Sequence, residues 1–149
     1  MREVFGNLWQ FAGGMKCITT NGSVRADGNA VMGRGCANEA RLMFHGLAQK
    51  LGTRLRNSGN HVYYFPDIPL YTFPVKVDWN RPAVLTLIEQ SAYELVEQTE
   101  DFTPTSYIYL PRPGCGNGTL MWEDVRPVIE PILTGDRFRI VDYARGLSS

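Results

Sequence analysis

The sequence has no surplus of charge of either sign, since fifteen Lys and Arg residues balance fifteen Asp and Glu residues. It also has no basic run and no acidic tail. A general electrostatic attraction to nucleic acid or to an anionic membrane is therefore not indicated, because such binding needs a surplus of one sign. Specific binding through a small basic patch stays open.

Long apolar runs and cysteines are scarce. No stretch approaches the roughly 18 apolar residues that a membrane-spanning helix needs, and the N-terminal segment MREVFGNLWQF has no apolar core with a cleavage site. The three cysteines, Cys17, Cys36 and Cys115, are odd in number and widely separated, which argues against a disulfide framework. These absences predict a cytoplasmic protein.

Metal-binding motifs are missing too. Neither CxxC nor HExxH occurs, so no zinc site is expected, and no cofactor is predicted. His45 and His61 are predicted to be surface or capping residues.

With 149 residues, 44% of them hydrophobic, the chain can bury a sizeable core, and no repeat or linker divides it. We predict a single domain over residues 1–149.

Glycine is concentrated in two segments, and the first to consider follows an aromatic strand-like run at 107–110. Two prolines, Pro111 and Pro113, lead into Gly114, Cys115, Gly116, Asn117 and Gly118. Three glycines in five residues let backbone amides turn toward a common point, and a helix beginning near Trp122 adds its free N–H groups, which attract phosphate. The motif is neither GxxxxGK[ST] nor GxGxxG, and alone it fits a tight ligand-free connection better.

A second segment of the same kind lies earlier in the chain. The strand-like MKCITT at 15–20 is followed by NGSVRADGNAVMGRG at 21–35, which leads into the helical pattern CANEARLMF. In α/β sheets, ligands lie outside the carboxyl ends of the strands, where such loops face each other. The two loops together predict a clamp for an extended anionic ligand, such as a diphosphate flanked by sugars.

The remaining chain alternates between strand and helix patterns. Strands are predicted at 2–5, 62–65, 70–75 and 137–143, besides the two already named. One helix, or two broken near His45 and Gly46, is predicted over 36–57. Another is predicted to have Asn80 as its cap, Pro82 in its first turn and Val96 near its end, and a last one covers 122–133, where Pro131 should kink or shorten it. This alternation predicts an α/β layered domain.

The pair CITTNGSVRADGNAVMGRGCANEA and YLPRPGCGNGTLMWEDV resembles the two ligand loops of the macrodomain family, the ADP-ribose-binding modules. The segment YTFPVKVDW adds to this resemblance, which runs from about Val4 to Tyr143. The order of elements is similar to that of small microbial and viral macrodomains related to terminal ADP-ribose glycohydrolase. The resemblance implies a three-layer α/β/α fold with a central mixed sheet that binds ADP-ribose or a terminal ADP-ribosyl group.

The resemblance also implies roles for single residues. Asn7 stands where the family usually has an aspartate that accepts a hydrogen bond from the adenine amino group, and it fits a turn residue equally well. Asn21 matches the residue that orients the distal ribose; its alternative role is to start an Asn-Gly turn. The diphosphate loops match two runs of residues, first Met32, Gly33, Arg34 and Gly35, then Gly114, Cys115, Gly116, Asn117 and Gly118.

For catalysis the resemblance implies Lys76 as a nucleophile at the anomeric carbon of ribose, assisted by Asn21. A lysine nucleophile must be neutral, which needs desolvation or a nearby cation. The family's aspartate in the second glycine loop is replaced here by Gly118, and the weak substitutes are Asp27, Asp78 and Glu123. The substrate would be ADP-ribose 1''-phosphate or an ester-linked ADP-ribosyl modification.

Several alternatives stay open. The missing loop aspartate favours a non-catalytic ADP-ribose reader, and an RNA or other nucleotide binder is a third interpretation that the charge balance disfavours. Cys115 could be a reactive thiol at a helix N-terminus, although a small buried cysteine is the commoner outcome. One aromatic residue could stack on adenine, and the candidates are Trp9, Tyr71, Trp79 and Trp122.

Overall fold

The protein folds around one mixed six-stranded sheet in a computed structural model that describes residues 1–101 and 106–143. The strands lie in the order β1-β6-β5-β2-β4-β3, and every neighbouring pair is parallel except β3 and β4. Their bounds are β1 Arg2–Phe5, β2 Met15–Asn21, β3 Tyr64–Phe65, β4 Leu70–Lys76, β5 Ile108–Pro111 and β6 Phe138–Asp142. The single-domain prediction over 1–149 extends beyond the described residues.

Four α-helices cover the two faces of the sheet: α1 Gly35–Met43, α2 Leu47–Ser58, α3 Leu85–Gln98 and α4 Trp122–Ile129. Successive strand residues point to opposite faces. On β6, for example, Ile140 packs with α3 and α4, whereas Val141 packs with α1, α2 and a 3₁₀ turn at Leu8–Gln10. The resulting three-layer α/β/α arrangement with a mixed sheet is the fold class that the sequence predicted.

The helix predictions are partly confirmed. The 36–57 segment forms two helices that break at Gly46, whose φ of 83° is a left-handed conformation suited to glycine. The final helix ends at Ile129, before Pro131, as expected. The predicted start of α3 at Asn80 and Pro82 is wrong, because the N–H groups of Ala83 and Val84 donate to Gly118 and Val75 and hold this segment extended.

The predicted strand at 62–65 is shortened to Tyr64–Phe65. The N–H of Val62 donates to the Glu94 carboxylate and its carbonyl accepts from the Gln98 amide, so side chains of α3 replace a neighbouring strand there. The last strand stops at Asp142 and the fifth extends to Pro111, each one residue from its predicted bound.

None of the described helices is long and apolar enough to cross a membrane. Over residues 1–101 and 106–143, no three His, Cys, Asp or Glu side chains are grouped as a metal site. His45 is exposed, and the half-exposed ring of His61 contacts the Glu94 carboxylate at 2.8 Å on the surface.

Candidate functional site

A cleft of about 670 Å³ lies across the carboxyl ends of β4, β2, β5 and β6. Of the twelve predicted site residues, eleven line it, all except Asn7: Asn21, Met32, Gly33, Arg34, Gly35, Lys76, Gly114, Cys115, Gly116, Asn117 and Gly118. The four strands are consecutive in the sheet. With neighbouring strands about 4.8 Å apart, the cleft spans about 14 Å, which suits an extended ligand.

The glycine-rich loop at 114–118, called the second glycine loop because it comes later in the chain, is closely packed where it leaves β5. Gly114 has a φ of 77°, which favours glycine, and its carbonyl accepts from the N–H of Leu120 at 2.9 Å. A Cβ atom at Gly118 would lie 2.5 Å from the Gly114 carbonyl oxygen and 2.7 Å from the Ala83 Cβ. The position of the missing aspartate is therefore sterically closed to every side chain, which the sequence did not reveal.

The glycine-rich loop that ends at 33–35, the first in chain order, is held by Asn21, the last residue of β2. Its amide nitrogen donates to the Val31 carbonyl at 3.0 Å, and its amide oxygen accepts from the Ser23 N–H at 2.9 Å. The Ser23 hydroxyl in turn accepts from the Trp79 N–H at 3.0 Å. Asn21 thus has the turn-forming role, with one donor and one lone pair left for a ligand.

Lys76 ends β4 beside Asn21, because a register shift after Thr20 pairs Asn21 with Lys76. Burial lowers the pKa of the Lys76 ammonium, and the nearby Arg34 guanidinium lowers it further. Its Nζ lies 3.5 Å from the Trp79 carbonyl, and the Asn60 amide donates to the Lys76 carbonyl at 3.0 Å. Both effects favour the neutral amine that a nucleophilic lysine needs.

None of the three substitute carboxylates lines the cleft. Asp27 is exposed and accepts from the Asn29 N–H in its turn, which is the main reason that its pKa is lowered. Asp78 is exposed and contacts the Ser23 hydroxyl at 3.5 Å, and Glu123 is exposed in the first turn of α4.

Asp142, at the end of β6, is the one carboxylate among the described residues that line the cleft. Its Oδ2 lies 3.3 Å from the Arg112 guanidinium, which also contacts Glu3 at 2.9 Å and stacks on Trp122 at 4.8 Å from the ring centroid. Arg112 and Asp142 were not predicted as site residues from the sequence. Their positions at the carboxyl ends of β5 and β6 are the signal that could have found them.

The aromatic candidates separate clearly. Trp79 is 54% exposed and lines the cleft at the Lys76 end, and the unpredicted Tyr143 lines the opposite end, where burial raises its pKa. The other three pack elsewhere: Trp9 lies near Phe44, Tyr71 stacks on Tyr64, and Trp122 stacks under Arg112. Tyr143 is thus the aromatic residue at the β6 end of the cleft.

Asn7 is the predicted site residue that the structure leaves outside the cleft lining. Its side-chain oxygen accepts from the Trp9 N–H at 3.0 Å, and its own N–H donates to the Gln10 side chain at 2.8 Å. These two bonds form a capping box for the 3₁₀ turn. The geometry is that of the turn residue, the alternative left open by the sequence.

Cys115 lines the cleft, but burial raises the pKa of its thiol to about 11, against a smaller opposing effect of Arg112. We predict slow alkylation by iodoacetamide at pH 7, about a hundredfold or more below a free cysteine of pKa about 8.5, with a rate that rises about tenfold per pH unit. Mass spectrometry of the alkylated protein gives the rates, with small-molecule cysteine as the reference. Rapid modification of Cys115 at pH 7 would contradict this assignment.

The sequence matches no family model and no curated protein. Solved structures resemble it closely in fold. The macrodomain of Thermus aquaticus DarG is 25% identical with a TM-score of 0.76, covering 96% of this chain and 97% of that one. The macrodomain of Mycobacterium tuberculosis DarG is 20% identical with a TM-score of 0.76 and 95% coverage of both chains.

Thermosipho africanus DarTG, solved in complex with ADP-ribose, is 18% identical with a TM-score of 0.77. The match covers 99% of this chain and 43% of that longer chain. The narrower resemblance to macrodomains related to terminal ADP-ribose glycohydrolase is not confirmed by these likenesses and stays a prediction. The chain, aligned with DarG macrodomains over nearly its full length, has the macrodomain fold.

Proposed function

We propose that the cleft binds ADP-ribose or a terminal ADP-ribosyl group. The observation that carries this proposal is that two glycine-rich loops follow the adjacent central strands β2 and β5 and line one cleft. A diphosphate between these loops meets backbone amides and the partial positive charge at the N-terminus of α1, whose first residues line the cleft. The solved complex of DarTG with ADP-ribose supports the same ligand here.

Charge and size favour this ligand. Arg25, Arg34, Lys76 and Arg112 line the cleft against the single carboxylate of Asp142 among the described residues, so an anion is attracted. A volume of about 670 Å³ lies within the usual range of roughly 300–1,000 Å³ for small-molecule sites. We place the distal ribose at Lys76 and the base at the β6 end, beside Tyr143.

We propose hydrolysis as a second activity of the same cleft. Neutral Lys76 attacks the anomeric carbon of the distal ribose while the bond from that carbon to the leaving oxygen breaks, and the oxygen takes a proton from a water molecule. Water then displaces the lysine and releases ADP-ribose. The substrate is ADP-ribose 1''-phosphate or an ester-linked ADP-ribosyl modification, and the lowered pKa of Lys76 supports this role.

A non-catalytic reader is the competing function. One observation favours it: no carboxylate among the described residues lines the Lys76 end of the cleft. None of the described side chains there is therefore suited to protonate the leaving group. An RNA or other nucleotide binder would show affinity that falls steeply with salt and is not competed by ADP-ribose. We propose one domain over residues 1–149 and a cytoplasmic location.

The test of binding is calorimetric titration with ADP-ribose. We expect saturable binding by the native chain and a loss of about a hundredfold or more in Gly116→Glu, because the new carboxylate stands where the diphosphate is bound. Gly116 is exposed, so the folded state should tolerate the change.

Gln49→Glu serves as the matched control. It adds the same charge at an exposed position in the first turn of α2, outside the cleft lining. The control should bind like the native chain. If the folded native protein does not bind ADP-ribose, both the reader and the hydrolase proposals are wrong.

A further inference from the structure

The base end of the cleft holds a residue that the sequence resemblance did not assign. We infer that Asp142 selects adenine by accepting a hydrogen bond from its exocyclic amine, a role that the resemblance gave to Asn7. This inference rests on the proposed binding of ADP-ribose. It concerns which ligand base is accepted, so it is tested separately from binding itself.

Asn7 is already engaged in local structure. Its amide oxygen is the cap acceptor for Trp9, at 3.0 Å, and its backbone N–H bonds the Gln10 side chain at 2.8 Å. Leu8, which follows, is completely buried and fixes the start of the turn. Because these bonds hold Asn7 in the turn and outside the cleft lining, it would have to leave the capping box, which is worth about 1 kcal/mol, to reach a base in the cleft.

Asp142 is fixed next to Asn7 but inside the cleft. Its backbone carbonyl accepts from the Gly6 N–H at 2.9 Å, and in the sheet it pairs with Phe5. The Arg112 guanidinium, 3.3 Å away, contacts Oδ2 and holds the side chain in place. The side chain is 28% exposed, so a ligand in the cleft can reach it.

The carboxylate also has unused capacity. A carboxylate only accepts hydrogen bonds, through two oxygens with about four lone-pair sites. Within residues 1–101 and 106–143, Oδ1 of Asp142 has no hydrogen-bond partner, whereas Oδ2 faces Arg112. An adenine amine can donate to this oxygen, but the O6 carbonyl of hypoxanthine would face it as a second acceptor.

The walls beside Asp142 suit a base. Val141 and Ala37 are buried apolar residues that line the cleft, and the Tyr143 ring lies at the same end. Apolar walls with one directional acceptor are the usual form of a base site. Position, free acceptor and apolar surroundings therefore coincide at Asp142.

The experiment compares ADP-ribose with inosine 5'-diphosphoribose, in which the amine is replaced by a carbonyl. Calorimetry on the native protein should show an affinity ratio of about 10 to 100 in favour of ADP-ribose, as expected for a hydrogen bond to a charged group. In Asp142→Asn the amide can also donate to O6, so the ratio should fall to about threefold or less. Because both ligands share the diphosphate, the ratio cancels any change in phosphate affinity caused by freeing Arg112.

Asn7→Ser is the rival variant, since serine keeps a cap oxygen but removes the amide. It should keep the native ratio. If Asp142→Asn does not fold, Asp142→Ala is the alternative variant that removes the carboxylate. A native ratio near one, an unchanged ratio in the Asp142 variants, or a ratio lost in Asn7→Ser would each overturn the inference while leaving ADP-ribose binding intact. Native protein that binds neither ligand would overturn the proposed function and this inference together.

Discussion

Replacement of Lys76 by alanine should lower hydrolysis of an ester-linked ADP-ribosyl substrate by about a thousandfold or more, with ADP-ribose affinity changed less than about threefold. The expected loss is large because the variant lacks the atom that forms the covalent bond. Affinity should persist because the proposed contacts with the diphosphate are made by the glycine loops and not by Lys76. Single-turnover assays and calorimetry measure the two quantities separately.

If the native protein hydrolyses the proposed substrates, the pH profile of its hydrolysis rate gives a second readout of Lys76. Only the neutral amine attacks, so the rate should rise about tenfold per pH unit below the pKa of Lys76 and level off above it. Burial and Arg34 lower this pKa, so the plateau should begin below the pH at which a free lysine loses its proton. Arg34→Gln removes one of the two causes and should move the profile to higher pH.

Two results would contradict the nucleophile assignment. The first is turnover by Lys76→Ala at a rate near that of the native protein. The second is a native profile that falls as pH rises over the same range, which would indicate that the charged form of the lysine is needed. Native protein that binds ADP-ribose but hydrolyses neither proposed substrate would favour the reader.

Gly118→Asp, which introduces the aspartate that the resemblance implies at this position, should destabilise the fold by about 3 kcal/mol or more and should not raise the rate of hydrolysis. The reason is steric: the new Cβ would lie 2.5 Å from the Gly114 carbonyl oxygen and 2.7 Å from Ala83. For a domain of this size, such a loss lowers the melting temperature by about 6–12 °C. Thermal unfolding followed by circular dichroism measures it.

Gly33→Asp is the matched control for Gly118→Asp. A Cβ at Gly33 meets no atom within 4 Å, so the same change should leave the melting temperature nearly unchanged. Because Gly33 lines the cleft, the new carboxylate should nevertheless weaken ADP-ribose binding. Gly118→Ala isolates the steric effect from charge. A Gly118→Asp protein as stable as the native one would show that the loop can move away from Ala83.

Much of the site was predictable because it consists of backbone geometry at strand ends. The glycine clusters at 33–35 and 114–118 specify loops after β2 and β5, and parallel strands bring such loops to one edge of the sheet. Lys76 was implied by the resemblance of the segment YTFPVKVDW, and it ends β4 in the cleft lining. Helix bounds such as the start of α3 were less predictable, because the backbone bonds of Ala83 and Val84 are made to residues distant in sequence.

The sequence by itself determined the α/β class and the loops that line the cleft, because hydrophobic periodicity and glycine content act locally along the chain. Only the tertiary structure decided which side chains share the cleft. It brought Asp142 and Tyr143 to the β6 end of the cleft and closed Gly118 against Ala83. These outcomes depend on contacts between residues far apart in sequence, and no local pattern encodes them.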